Sequence, residues 1–300
     1  MEASSSSLIM KYTMIKDILK LLRVEQYIKN IFIFAPLFFS FQFSSINFFA
    51  ATQAFLMFSL MASSIYILND IFDLEEDKVH PNKKMRPIAS NKIKINNAFL
   101  ISLVLSLTSL LWSYMINIHI FLILLTYLMI NILYSVKLKH IPIIDVIVIA
   151  TGFVLRLFVG GYAIDEMITF WIIVLTFILS LFIALAKRKE DIQLLINGKE
   201  TRKNIGFYNL RILNRSLVSL SILIVIIYLL FTLSPDVTMK FNDNIFITTI
   251  FVIFGLYRYS HLTLVKNNSG DPTKILLTDR ILQIIIIAWL LSFYYIARMI

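Results

Sequence analysis

The chain has 300 residues, 59% of them hydrophobic and only 15% charged, with a mean hydropathy of +0.82 and a formal charge of +10. A soluble domain of this length could not keep 25 phenylalanines from water, so the composition points to an integral membrane protein. The apolar runs last about 18 to 22 residues without strict alternation, which suits spanning helices and excludes barrel strands, so the expected fold class is all-α.

In chain order, the opening MEASSSSLIMKYTMIKDILKLLRVEQ has neither a continuous apolar core nor a small-residue cleavage site, so no signal peptide is expected. Nine transmembrane helices are read at 28–46, 49–70, 97–115, 118–135, 142–163, 168–187, 213–233, 244–262 and 280–298. No short-period repeat is present and the only low-complexity run is Ser4 to Ser7, so residues 1–300 read as a single transmembrane domain. With the N-terminus cytoplasmic, 25 of the 28 Lys and Arg fall on the inner side; Lys240 and Arg298 lie outside and Arg156 lies within a span. The C-terminus is then outside. The positive charge is thus a topology signal, with attraction to anionic lipid as a second use, and no nucleic-acid partner is expected. The outer connections are short, whereas the inner ones near 75–96, 188–212 and 263–279 are long and polar. Any chemistry is therefore expected on the cytoplasmic face of a multi-pass cell-membrane protein. With no cysteine, redox compartment is unreadable.

The segment YILNDIFDLEEDKVHPNKKMRPIAS, residues 66–90, gathers Asp70, Asp73, Glu75, Glu76 and Asp77, five of the 18 acids, at the end of the second span. On one continuous helix, Asn69, Asp73 and Asp77 share a face within about 80°, while Asp70 points roughly 100° away from Asn69. Oxygen ligands without His or Cys suit magnesium, which completes its shell with water and substrate phosphate. The stripe would be about 12 Å long, so either two ions bind or the helix breaks. A solvated helix end with i,i+4 ion pairs is the plainer alternative. His80, Lys83, Lys84 and Arg86, between Pro81 and Pro87, then set cations on a loop that returns toward the acids. Acids and cations together beside a membrane suit a diphosphate gripped through metal on one side and by Lys83 and Arg86 on the other.

Asp145 and Arg156 lie in the fifth span, where ionisable groups face a cavity or a partner. They share a face but stand roughly 16 Å apart along the axis, so each needs its own partner. For Asp145 the choices are metal or donor binding, or a helix-end cap. For Arg156 they are a substrate phosphate, or snorkelling toward Asp165 and Glu166. Lys29 and Asn30 open the first span at headgroup level, Tyr134, Lys137 and Lys139 close the fourth, and Lys187 to Lys189 close the sixth. His119 and His261 have no ligand spacing and are assigned no metal.

NDIFDLEED resembles the N-D-x-x-D-x-x-x-D motif of the UbiA superfamily of intramembrane prenyltransferases. DKVHPNKKMRPIAS is similar to the continuation in its polyprenyl-phosphate phosphoribosyltransferase branch. RVEQYIKNIFIFAPLFF, YSVKLKHIPIIDVIVIATGFVLRLFVGG, AKRKEDI and GDPTKILLTDRILQ resemble further branch segments in the same order, so the likeness runs nearly the whole chain. Val24 and Tyr27 replace the usual Pro and Trp. Of a second D-x-x-x-D motif only Asp145 remains, with Ile149 at its fourth position, which suits the phosphoribosyl branch better than an aromatic prenyltransferase.

The resemblance implies nine helices around a central cavity open to lipid. It also implies a magnesium-dependent transfer of the 5-phosphoribosyl group from phosphoribosyl diphosphate to a polyprenyl phosphate, and a part in cell envelope biosynthesis. Asn69, Asp73 and Asp77 would hold the metal, with Asp73, Asp77, Lys83 and Arg86 as the catalytic set. Lys29, Asn30, Lys83, Arg86, Tyr134, Lys139, Asp145, Arg156, Lys187 and Arg188 would bind substrate. The alternatives are a prenyltransferase joining a polyprenyl diphosphate to an aromatic or other polar acceptor, and a transporter or flippase, against which the acids sit at the membrane margin. A homo-oligomer is left open.

Overall fold

The computed structural model of the chain describes residues 14–81, 83–196, 203–264 and 272–299. The Ser4–Ser7 run, Asn82 of the cationic loop, and Gly270 and Asp271 ahead of the last span lie outside the described residues. Every described element is helical. Eight helices are long and apolar enough to cross a membrane: α1 (Ser45–Phe72), α2 (Ile95–Ile116), α3 (Ile118–Val136), α4 (Ile144–Ala163), α5 (Phe170–Ile196), α6 (Leu210–Thr232), α7 (Asp243–Leu264) and α8 (Arg280–Ala297). They match the last eight expected spans.

The first expected span, 28–46, is built differently. Val24–Phe34 forms a 3-10 helix of 11 residues, far longer than such helices usually run, and Ala35–Ser40 continues it as a short α-helix with Pro36 in its first turn. Left-handed residues bracket this segment, Arg23 at φ 51° and Phe41 at φ 60°. Ser44 then caps α1 by accepting the Asn47 N–H at 3.1 Å.

The described contacts divide the chain into two compact units, residues 1–139 with 155–168 and residues 140–154 with 169–300. In the first, α1, α3 and the end of α4 enclose Met57, Phe58, Met61, Leu124 and Val159. Ser102, Ser106, Ser109 and Ser113 are buried at helical spacing on α2. Ser102 bonds reciprocally with Ser64 of α1, and Ser109 donates to the Met57 carbonyl at 2.8 Å. Small polar side chains thus let two spanning helices approach closely and tie them together. Gly160 of α4 serves a similar end: a β-carbon there would lie 2.0 Å from the Ile33 carbonyl oxygen. In the second unit, Phe182 and Ala186 of α5, Leu217 and Ile224 of α6 and Leu256 of α7 form the core.

Candidate active site

The acidic stretch begins as the last turn of α1 and passes through a hitch rather than a break. Asp73, at φ −92° and ψ 6°, ends α1 and starts a short helix, Leu74–Val79. Its N–H still bonds the Asn69 carbonyl at 2.9 Å, and the Asp77 N–H bonds the Asp73 carbonyl at 2.8 Å. The i,i+4 ladder that joins Asn69, Asp73 and Asp77 therefore survives the hitch. His80, just before Pro81, is extended and stops the helix. A 3-10 turn over Lys83–Met85 follows, with the His80 Nδ1 accepting the Lys83 N–H at 3.2 Å. That turn returns Arg86 to the acids.

The side chains pair as follows. Arg86 bonds both Asp77 and Asp70, and Arg23 bonds Asp70 from the N-terminal side. Lys139 bonds Asp73, and the Ser135 hydroxyl donates to the Asn69 amide oxygen. Asp70 and Asp77 are buried, while Arg23, Arg86 and Lys83 keep part of their surface open. Sequence reasoning left Asp70 outside the stripe; the structure joins it to Asp77 through the shared Arg86. Arg23 and Ser135 were also missed, since their partners lie 47 and 66 positions away and no local spacing announces them.

An all-oxygen set with a spare acceptor fits a hard divalent ion. The buried Asp77 Oδ1 accepts no hydrogen bond, and Lys83 Nζ stands 3.9 Å from it. Among the described residues no three His, Cys, Asp or Glu gather closely enough to hold an ion alone. With the ladder intact the stripe is too long for one ion, so magnesium held by neighbouring members, Asn69 with Asp73 or Asp73 with Asp77, would draw its further oxygens from water and from a phosphate ligand.

Elsewhere in the first unit, Arg156 is buried on α4. Its Nε donates to Asn30 Oδ1 at 2.8 Å and its Nη2 to the Tyr127 hydroxyl at 3.2 Å. Its guanidinium carbon lies 4.5 Å from the Phe58 ring centroid. Asn30 in turn donates to Ser59 at 2.9 Å. The snorkelling alternative does not describe this side chain, and Glu166 instead accepts from Gln42 at 2.7 Å. Lys29 and Tyr134 are half-buried on the 3-10 segment and on α3.

In the second unit Asp145 is fully buried, with both oxygens engaged. Arg188 Nε donates to Oδ2 at 2.7 Å and the Tyr208 hydroxyl to Oδ1 at 2.6 Å. Arg188 Nη1 also reaches Asp191 at 2.8 Å. The Tyr208 oxygen accepts the Ile143 N–H at 2.8 Å, which helps hold this β-branched residue at φ 72°, a strained left-handed conformation. Burial, and then the hydrogen bond to Asp145, push the Tyr208 phenol above its ordinary pKa, so it stays a donor. Lys187 is half-buried one position before Arg188. Asp145 and Arg156 thus have separate partners, as their separation along α4 requires.

The sequence profile of the UbiA prenyltransferase family matches residues 31–293. A decaprenyl-phosphate phosphoribosyltransferase of Mycolicibacterium smegmatis is 30% identical over 292 residues, covering 92% of this chain and 91% of that protein. The protein of the same name in Mycobacterium tuberculosis is 29% identical over 241 residues, 80% of this chain and 78% of that one. A UbiA homologue from Archaeoglobus fulgidus, solved with GPP and Mg2+, shares the fold with a TM-score of 0.70 at 21% identity, covering 92% of this chain and 99% of its own.

Proposed function

Because the chain belongs to the UbiA prenyltransferase family and is a multi-pass membrane transferase, we propose that it moves the 5-phosphoribosyl group of phosphoribosyl diphosphate onto a polyprenyl phosphate. The observation that carries this reading is the near-full-length likeness to the phosphoribosyltransferase of Mycolicibacterium smegmatis. In the reaction the bond from ribose C1 to diphosphate breaks, and diphosphate departs with the electron pair. A bond from C1 to an oxygen of the lipid phosphate forms. The acceptor is already anionic near neutral pH, so no dedicated general base is required.

The residues of the first unit suit that leaving group. Asn69, Asp73 and Asp77 would hold magnesium, which supplies charge neutralisation for departing diphosphate. Arg86 and Lys83, partly open and already aimed at carboxylates, would offset the charge that grows on the diphosphate oxygens. Arg23 and Asp70 keep Arg86 in place, and Lys139 adds a cation beside Asp73. Asn30 and Tyr127 hold Arg156, which would meet a substrate phosphate, and Lys29 would meet the lipid phosphate at headgroup level. The active site would face the cytoplasm, following the inner-side excess of Lys and Arg.

The purified protein, incubated with magnesium, polyprenyl phosphate and labelled phosphoribosyl diphosphate, should form a labelled lipid that chelation abolishes. In parallel it is offered a polyprenyl diphosphate and an aromatic acid. Product only in the second mixture would replace this reading with prenyl transfer to an aromatic acceptor.

A further inference from the structure

We infer that the helix at residues 14–22, MIKDILKLL, is an interfacial anchor that lies against the headgroup layer of an anionic lipid leaflet. On a helical projection Met14, Ile15, Ile18, Leu19, Leu21 and Leu22 occupy an arc of about 160°, and Lys16, Asp17 and Lys20 fill the opposite side. Among the described residues, only one edge of that apolar arc is covered. Leu21 is fully buried against Ile67, Ile88 and Ala98, whereas Ile15 and Leu19, on the other edge, are 49% and 48% exposed.

Two features identify what covers the open edge. Ile67 lies near the end of α1 and Ala98 near the start of α2, so Leu21 docks at the level where two spanning helices leave the bilayer. The polar side is cationic in effect, because Asp17 accepts from Lys92 Nζ at 2.8 and 3.1 Å while Lys16 and Lys20 stay exposed. Apolar residues at acyl depth beside lysines at phosphate depth are the chemistry of a helix lying in an anionic interface.

The chain has no cysteine, so Leu19→Cys gives the full-length protein one site for a spin label. It is read in lipid discs of phosphatidylcholine with and without phosphatidylglycerol. The label should be reached by oxygen dissolved in lipid and shielded from an aqueous nickel chelate, more so with phosphatidylglycerol. Replacing Lys16→Gln and Lys20→Gln together should remove the phosphatidylglycerol effect, each lysine contributing about fivefold in interfacial partitioning. A label open to the chelate in both lipids would overturn the inference, as would a phosphatidylglycerol effect that survives both substitutions. Spin–spin broadening between labelled chains would assign the face to a second copy instead.

Discussion

Two clusters of aspartate and arginine invite comparison, because they use the same chemistry at opposite degrees of enclosure. In the second unit, Arg188 and Asp145 are 1% and 0% exposed, and both carboxylate oxygens are engaged. In the first, the acids Asp70 and Asp77 are equally deep, but the cations are not: Arg86 retains 26% of its surface and Lys83 30%. A sealed pair cannot exchange partners without leaving a charge bare in low dielectric, which costs several kcal/mol. A cation that keeps a quarter or more of its surface open can add a phosphate while keeping its buried carboxylate, so no charge is left bare. The sealed cluster is therefore expected to act as structure, against the substrate-binding role that the resemblance implies for Asp145 and Arg188, and the open one is expected to receive a ligand.

The largest expected effect breaks the sealed side. Arg188→Ala takes the guanidinium away from Asp145 and Asp191 and should destabilise by about 3–5 kcal/mol, seen as early melting in detergent and poor yield. Normal melting with lost turnover would make Arg188 a ligand-binding group and erase the contrast. Next comes the open side. Asp73→Asn should cut turnover by about a hundredfold or more while the melting curve holds, because Asp73 is 24% exposed and packs no core. Early melting of that variant would show that the first cluster is structural too.

A smaller effect separates the cations by substrate. Lys83→Ala and Arg86→Ala should raise KM for phosphoribosyl diphosphate by roughly tenfold to a hundredfold, the worth of one charge-assisted contact. Arg86→Ala should also melt earlier, because it takes the shared cation from buried Asp70 and Asp77. Lys29→Ala should instead raise KM for polyprenyl phosphate. Each substrate is titrated with the other saturating, and a Lys29 variant impaired only toward the soluble donor would exchange the two assignments.

The same comparison shows what a sequence discloses. Eight spans were legible because hydropathy and length alone define them. The 28–46 segment was not, since an average over apolar residues cannot tell a 3-10 run from an α-helix, or see that Asn30 would be buried to hold Arg156. The local part of the open cluster could be read, as helical spacing joins Asn69 to Asp77 and the two prolines force the cations back. Its tertiary part could not: nothing near Asp70 indicates that Arg23 and Arg86 share it. Tyr208 was passed over for the same reason, because its two partners lie on a segment more than sixty residues earlier.

Tyr208 supplies the smallest and most selective test. Tyr208→Phe removes the hydrogen bonds to Asp145 and from Ile143 but keeps the ring, so the loss should be about 1.5 to 3 kcal/mol, measured as a lower melting temperature. If Arg188 is only a counterion, both KM values stay unchanged. A KM rise confined to one phosphate substrate would mean that the sealed cluster aims Arg188 at that substrate. The pH dependence carries a definite sign. Folding raises the phenol pKa, through burial first and the hydrogen bond to Asp145 second, so the folded protein binds this proton more tightly than the unfolded chain. The stabilisation is fully present below the ordinary phenol pKa of about 10 and is lost as pH climbs toward the folded value. The melting difference between the two proteins should therefore be constant from neutral to mildly alkaline pH and shrink only above that range. A difference that already shrinks near neutral pH would show that Tyr208 does not hold its proton for Asp145.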